Sequence, residues 1–138
     1  ALQALPSLRR AAVTPAGAAR EYAATLGDIE AMSHLGRYYA AKIRGACDLA
    51  LFDQTGDGQQ QAAAVRHLEA ALSHWKNYAT SYFRQNVQPV LYNRAAVVDI
   101  PQQTADVAND VRLARDWKPG TIVETVIKRS ATEAGFKK

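Results

Sequence analysis

Apolar residues recur at alternating steps of three and four along two long stretches between Asp28 and Arg84, which meet at Thr55-Gly56-Asp57-Gly58. That spacing keeps side chains on one face of an α-helix. In the first arm the stripe is Ile29, Met32, Gly36, Tyr39, Ile43, Ala46 and Ala50, and a second stripe of Leu35, Tyr38, Leu49 and Phe52 lies beside it. In the second arm Val65, Leu68, Leu72, Trp75, Ala79 and Tyr82 repeat the alternation. Arms of about 26 residues rise about 40 Å, and so short a connection permits only an antiparallel return. Two adjacent stripes make the first arm's apolar face wider than one seam needs, which predicts a central helix touched from two directions. The small Gly36, Gly45, Ala46 and Ala50 are expected to let the second arm come close, opposite the large Trp75 and Tyr82.

The flanking pattern predicts an all-α fold, a long antiparallel hairpin with two shorter packed helices in a three- to four-helix bundle. Residues 1–13 read as a lead-in. Thr14-Pro15 has the form of an N-cap followed by Pro at the first helical position. Ala18, Ala19, Tyr22, Ala23 and Leu26 continue that helix to a stop at Gly27, after which Asp28 can cap the central arm. After Arg84 the periodicity lapses, and Asn86 to Ile100 reads as an irregular extended crossing that packs Val90, Leu91 and Tyr92 on the hairpin. Pro101 opens a last helix striped by Thr104, Val107, Val111, Ala114 and Trp117, and Lys118-Pro119-Gly120 ends it. From Thr121 on, Ile122, Val123, Val126 and Ile127 suggest a short strand or docked helix, and Ser130 to Lys138 a mobile tail. The domain reading is therefore a lead-in at 1–13, a helical bundle at 14–117, and a linker or tail at 118–138.

Composition changes this picture little. A chain of 138 residues, 48% hydrophobic and 22% charged, suits one ordinary globular domain. No apolar run approaches the roughly 18 residues that a membrane span requires. Ala1-Leu2-Gln3-Ala4-Leu5 has neither an initiator Met nor a signal-peptide pattern, which favours a cut inside a longer chain over a processed start. The formal charge is only +4, and five bases from Lys118 onward face two acids there, so the excess belongs mostly to the tail. No basic stripe interleaved with aromatics is present, so nucleic acid is not an expected partner. Cys47 is the single cysteine, which excludes an internal disulfide.

Candidate chemistry is sparse. Asp53, Thr55 and Asp57 with Gly58 begin like a calcium loop, but Ala64 stands where a bidentate Glu is needed, so a helix turn is the better account. His67 and His74 can share a helix face and His34 lies on the other arm, but no metal-ligand pattern accompanies them, and a metal bundle would need all three to converge. Asp106 and Asp110 are four apart, with Arg112 and Arg115 nearby suggesting a surface charge mosaic. Phosphate loops, nucleophile elbows and Cys/His dyads are absent, so no catalytic, cofactor-binding or metal residue is assigned and no enzyme activity is expected of this segment. Aromatics are many for a helical domain. Lining a groove they would stack on sugar rings or hold a partner's apolar residue, and Tyr38, Tyr78 and Trp117 are the ones to check for exposure.

Leu35-Gly36-Arg37-Tyr38-Tyr39 matches the Leu-Gly-x-x-Tyr core of a tetratricopeptide repeat, but the stripe runs on through Ala40 to Asp53 and no second copy follows. Leu26-Gly27-Asp28-Ile29-Glu30-Ala31-Met32, the run from Leu35 to Ala46, and His67-Leu68-Glu69-Ala70-Ala71-Leu72-Ser73-His74-Trp75-Lys76 carry a closer likeness. Together they resemble the helical region near the carboxyl end of large secreted bacterial carbohydrate-active proteins, the α-glucuronidase-like and carbohydrate-binding group, over roughly residues 20–117. The resemblance implies a non-catalytic accessory module of a polysaccharide-processing protein such as a glycoside hydrolase, in a periplasmic or extracellular setting. Its partners would be neighbouring domains of the same polypeptide and a glycan. It carries over no catalytic residue. The alternative is a stand-alone helical adaptor that binds another protein along a hairpin groove or self-associates.

Overall fold

The computed structural model describes residues 1–11, 18–87, 90–92 and 96–122. Among them are four helices, α1 (Leu5–Ala11), α2 (Ala19–Thr55), α3 (Gly58–Phe83) and α4 (Ile100–Asp116), and two short strands, β1 (Val90–Tyr92) and β2 (Ala96–Val98). The all-α bundle is as expected. The crossing between α3 and α4 is not irregular throughout, because β1 and β2 pair antiparallel, with Val90 opposite Val98 and Tyr92 opposite Ala96. The side-chain packing of Val90, Leu91 and Tyr92 lies outside the described residues, as do the helix start at Thr14-Pro15 and everything from Val123 on.

The hairpin turn has the expected cause. Gly56 takes a left-handed φ of 71° and its N–H donates to the Phe52 carbonyl, closing α2, while Asp57 caps α3 by accepting the N–H of Gln59. Only Gly adopts that φ without cost, and the Asx cap satisfies a donor the helix start would otherwise leave open. Within the lead-in, Leu5–Ala11 is helical and buries Leu5. Tyr22 donates to the Leu8 carbonyl at 2.9 Å, and Arg9 pairs with Glu30 at 2.7 Å, tying α1 to α2.

The expected break at Gly27 is overturned. α2 runs through it for 37 residues, about 55 Å. Asp28 caps nothing: its carboxylate accepts the side-chain amide of Gln85, just past the end of α3. A Cβ on Gly27 would collide with the Gln85 side chain, so this glycine makes room for the far end of the hairpin rather than ending a helix.

The expected seam is also corrected. The stripe containing Met32, Tyr39 and Ile43 faces away from α3, and the neighbouring one, with Tyr38 and Phe52 buried and Leu35 and Leu49 partly so, faces inward. The Tyr38 and Trp75 rings meet at 4.9 Å, so large packs on large. Of the small residues, Gly45 does admit α3, whereas Gly36 has nothing within 4 Å of a Cβ position. One core cluster joins Tyr38, Ala71, Trp75, Ala79, Ile100 and Val107, and a second joins Leu68, Val111 and Ala114. α4 thus buries the three-four face read from the sequence. Asp99 caps its start, and Gln61 of α3 donates to the carbonyls of Ala114 and Arg115 at its end, both at 3.0 Å.

The two glycines should respond oppositely to alanine. A Cβ at Gly45 would sit 2.8 Å from Leu68 Cγ and 3.3 Å from the Ala64 carbonyl oxygen. Gly45→Ala is therefore expected to lose about 1–2 kcal/mol net, overpacking outweighing the propensity gain. Gly36→Ala should gain about 0.5–1 kcal/mol. Urea denaturation of the two variants checks the difference in sign.

Candidate functional site

Three features combine exposure or burial with unspent chemistry. The first is the outer face of α2. Met32, Tyr39 and Ile43 are 66%, 54% and 62% exposed, with Ile29 and Leu51 exposed at either end. At 100° per residue, Ile29, Met32, Gly36, Tyr39, Ile43, Cys47 and Ala50 fall on one narrow stripe with no charge among them. The exposed Arg37 and Arg44 run along one margin, two turns apart. An exposed apolar strip of this kind marks a contact with a protein, a membrane or a ligand.

The second feature is a cleft of about 320 Å³ where α2, α3 and α4 meet. α2 contributes Tyr38, Tyr39 and Lys42, α3 contributes Trp75 and Tyr78, and α4 contributes Gln103, Asp106 and Asp110. Lys42 Nζ donates to Asp110 Oδ2 at 2.8 Å and lies 5.7 Å from the centre of the Tyr38 ring. Desolvation pushes the Lys42 pKa down, but the bonds to Asp110 and Tyr38 more than offset it, and the ammonium is held above its usual value. Asp106 accepts from Gln102 at 3.3 Å. The two carboxylates therefore line this cleft. Neither pairs with the nearby arginines: Arg115 pairs with Glu69 at 2.5 Å and Arg112 with Asp116 at 3.8 Å. Of the aromatics singled out from the sequence, Tyr38 is buried and Tyr78 and Trp117 are partly buried; the exposed ring of the cleft is Tyr39. A sign of this was its place on the other stripe, beside that of Tyr38.

The third feature is buried polar chemistry at the two ends of the hairpin. The oxygens of the calcium-like loop are engaged in the turn. Thr55 Oγ1 donates to the Leu51 carbonyl and accepts from the Asp57 N–H, and Asp57 caps α3. Buried Asp53 accepts from Trp117 Nε1 and the Thr121 N–H, each at 2.8 Å, and from the Ile122 N–H at 3.2 Å. A carboxylate in the last turn of a helix opposes the macrodipole, a legible hint that something else would neutralise it. Burial pushes the Asp53 pKa up, but the indole and the backbone N–H groups of Ile122, Thr121 and Gly120 outweigh this and hold it below its usual value.

Toward the other end, the His34 and His74 rings lie 6.4 Å apart, and the Nδ1 atoms of both are buried without a partner among the described residues. His67 does not join them; it pairs with Asp48 at 2.7 Å. Among the described residues no three His, Cys, Asp or Glu side chains come together as metal ligands, so the convergence that a metal bundle needs is not met. Desolvation, the largest effect, lowers the His34 pKa below 6.5; Glu30 raises it, and His74, Arg37 and Arg84 lower it further. The fold thus favours neutral His34. Its contribution to stability is full above pH 6.5 and is lost as pH falls through the lower folded value, because the unfolded chain takes up the proton first. His34→Gln should flatten the stability profile below neutrality, measured by urea denaturation across pH 5–8. Asp53 contributes in the same sense further down, above pH 3.8 and declining as the acid range is entered.

Among the described residues no helix is long and apolar enough to cross a membrane. Comparison with protein-family models, curated proteins and solved structures finds no match for the chain, so its functional reading rests on the geometry and on the residues above.

Proposed function

We propose that this chain is a non-catalytic helical accessory module of a larger polysaccharide-processing protein, in a periplasmic or extracellular setting, and that it braces a neighbouring domain through the outer face of α2. The observation that carries the reading is the exposed, uncharged strip of Met32, Tyr39 and Ile43 on a helix whose opposite face already holds the core. A helix apolar on both sides calls for a second cover. Arg37 and Arg44, exposed along one margin, favour a partner face that carries carboxylates beside its apolar residues. The resemblance of residues 20–117 to carboxyl-terminal helical regions of carbohydrate-active proteins supports the same reading.

Peptide mapping of the native protein tests it. Peptides that continue from this segment into flanking sequence are expected, and a native polypeptide consisting of these 138 residues alone sinks it. The adaptor alternative, self-association included, predicts instead a mass that rises with concentration for the isolated chain.

A further inference from the structure

From the cleft between α2, α3 and α4 we infer a binding subsite for a neutral saccharide, one that stacks a sugar ring on Tyr39 and hydrogen-bonds its hydroxyls to Asp106, Asp110 and Gln103. The cleft measures about 320 Å³, within the range of about 300–1,000 Å³ typical of small-ligand sites. It combines two kinds of wall. On one side stand rings, with Tyr39 more than half exposed and its neighbour Tyr38 fixed 5.0 Å away. Buried Trp75 backs Tyr38 and holds its own indole N–H on Thr104 at 2.8 Å, so the aromatic wall is braced from behind. On the other side α4 presents two carboxylates and an amide.

Charge selects among ligand classes. The Lys42 ammonium neutralises Asp110, and Asp106 leaves the cleft with one net negative charge. An anion meets that carboxylate at close range, and an organic cation meets Lys42 in the same small volume. A neutral polyol uses every group present. Its hydroxyls donate to Asp106 and to the Asp110 oxygen that Lys42 leaves open, and they accept from the Gln103 amide and the third Lys42 N–H. The apolar face of its ring covers Tyr39. Planar polar side chains beside an exposed ring suit alternating hydroxyl and C–H surfaces, which a purely apolar ligand lacks.

This inference deepens the proposed function, since Tyr39 stands on the edge of the α2 strip and a domain docked there would complete the wall of the subsite. The test is kept separate by using the isolated 138-residue chain, with no neighbour present. Saturation-transfer NMR with glucose, cellobiose and maltose is the first measurement, glucuronate and choline serving as the anionic and cationic probes. Binding of at least one neutral sugar is expected, with the two charged probes at least tenfold weaker. Tyr39→Ala and Asp106→Asn, both at exposed positions, should each weaken it about tenfold at unchanged helicity and melting temperature, a loss of about 1.4 kcal/mol. No signal from any neutral sugar, tighter binding of glucuronate or choline, or sugar binding indifferent to both substitutions overturns the subsite. Ile43→Glu should leave sugar binding unchanged while removing the docking strip, so failure of one proposal is not failure of the other.

Discussion

Trp75→Ala is expected to cost about 3–5 kcal/mol, roughly a fifth or more of the stability of an ordinary domain. Trp75 is buried at the junction of three helices. Its ring lies 4.9 Å from Tyr38 and 5.3 Å from Tyr78, and it belongs to the cluster that joins α2, α3 and α4 through Ile100 and Val107. Truncation opens a cavity that these long helices cannot collapse locally, because each is held in register by contacts above and below it. The melting temperature should fall by roughly 10–20 °C for a chain of this size. Trp75→Phe should cost far less. The ring contacts survive, and Thr104, which loses the indole donor, still donates its own hydroxyl to the Ile100 carbonyl at 2.8 Å. A Phe variant as unstable as the Ala variant would mean that the indole hydrogen bond, not packing, dominates the site.

Ile43→Glu is expected to do the opposite: little to the isolated chain and much to its docking. Ile43 is 62% exposed, and a charge there stays in water when the chain stands alone, so stability should change by no more than about 0.5 kcal/mol. If a neighbouring domain covers the α2 strip as proposed, the same charge is buried unpaired at its centre. Docking should weaken by at least about 2 kcal/mol, roughly thirtyfold, as at the central residues of other interfaces. Limited proteolysis of the longer polypeptide that the proposed function requires, with and without the substitution, reads this out as faster release of the helical segment. Unchanged release would reject the α2 outer face as the docking surface. Met32→Glu, about three turns away on the same stripe, provides an independent second reading.

The hairpin, its turn and the last helix were legible because local chemistry specifies them. Gly56 and Asp57 carry the turn geometry and the cap within a few residues, and Val107, Val111 and Ala114 form a stripe with polar residues around the rest of α4. α2 was legible as a helix but not in its orientation. It carries two apolar stripes, and both satisfy the same three-four rule, so periodicity alone cannot say which one meets α3. The choice rests on complementarity: Gly45 fits under Leu68 and Tyr38 fits against Trp75, whereas Gly36 and Ile43 have no counterpart on α3. The same limit applied to the sites. Asp106 and Asp110 were paired correctly on one face of α4. Their cleft depends on Lys42, sixty-eight positions from Asp110 along the chain.

By itself, then, the sequence determined the element types, the antiparallel return and the buried face of α4, all of which depend on neighbours within a few turns. Tertiary structure decided which face of α2 is left to solvent, that Gly27 is passed through rather than used as a stop, and that Asp53 anchors the chain at Trp117 to Ile122. Each of these depends on side chains brought together across dozens of residues. The free energies that select them, a close fit, an avoided collision and a carboxylate satisfied by distant N–H groups, are properties of the pair and are carried by neither partner alone.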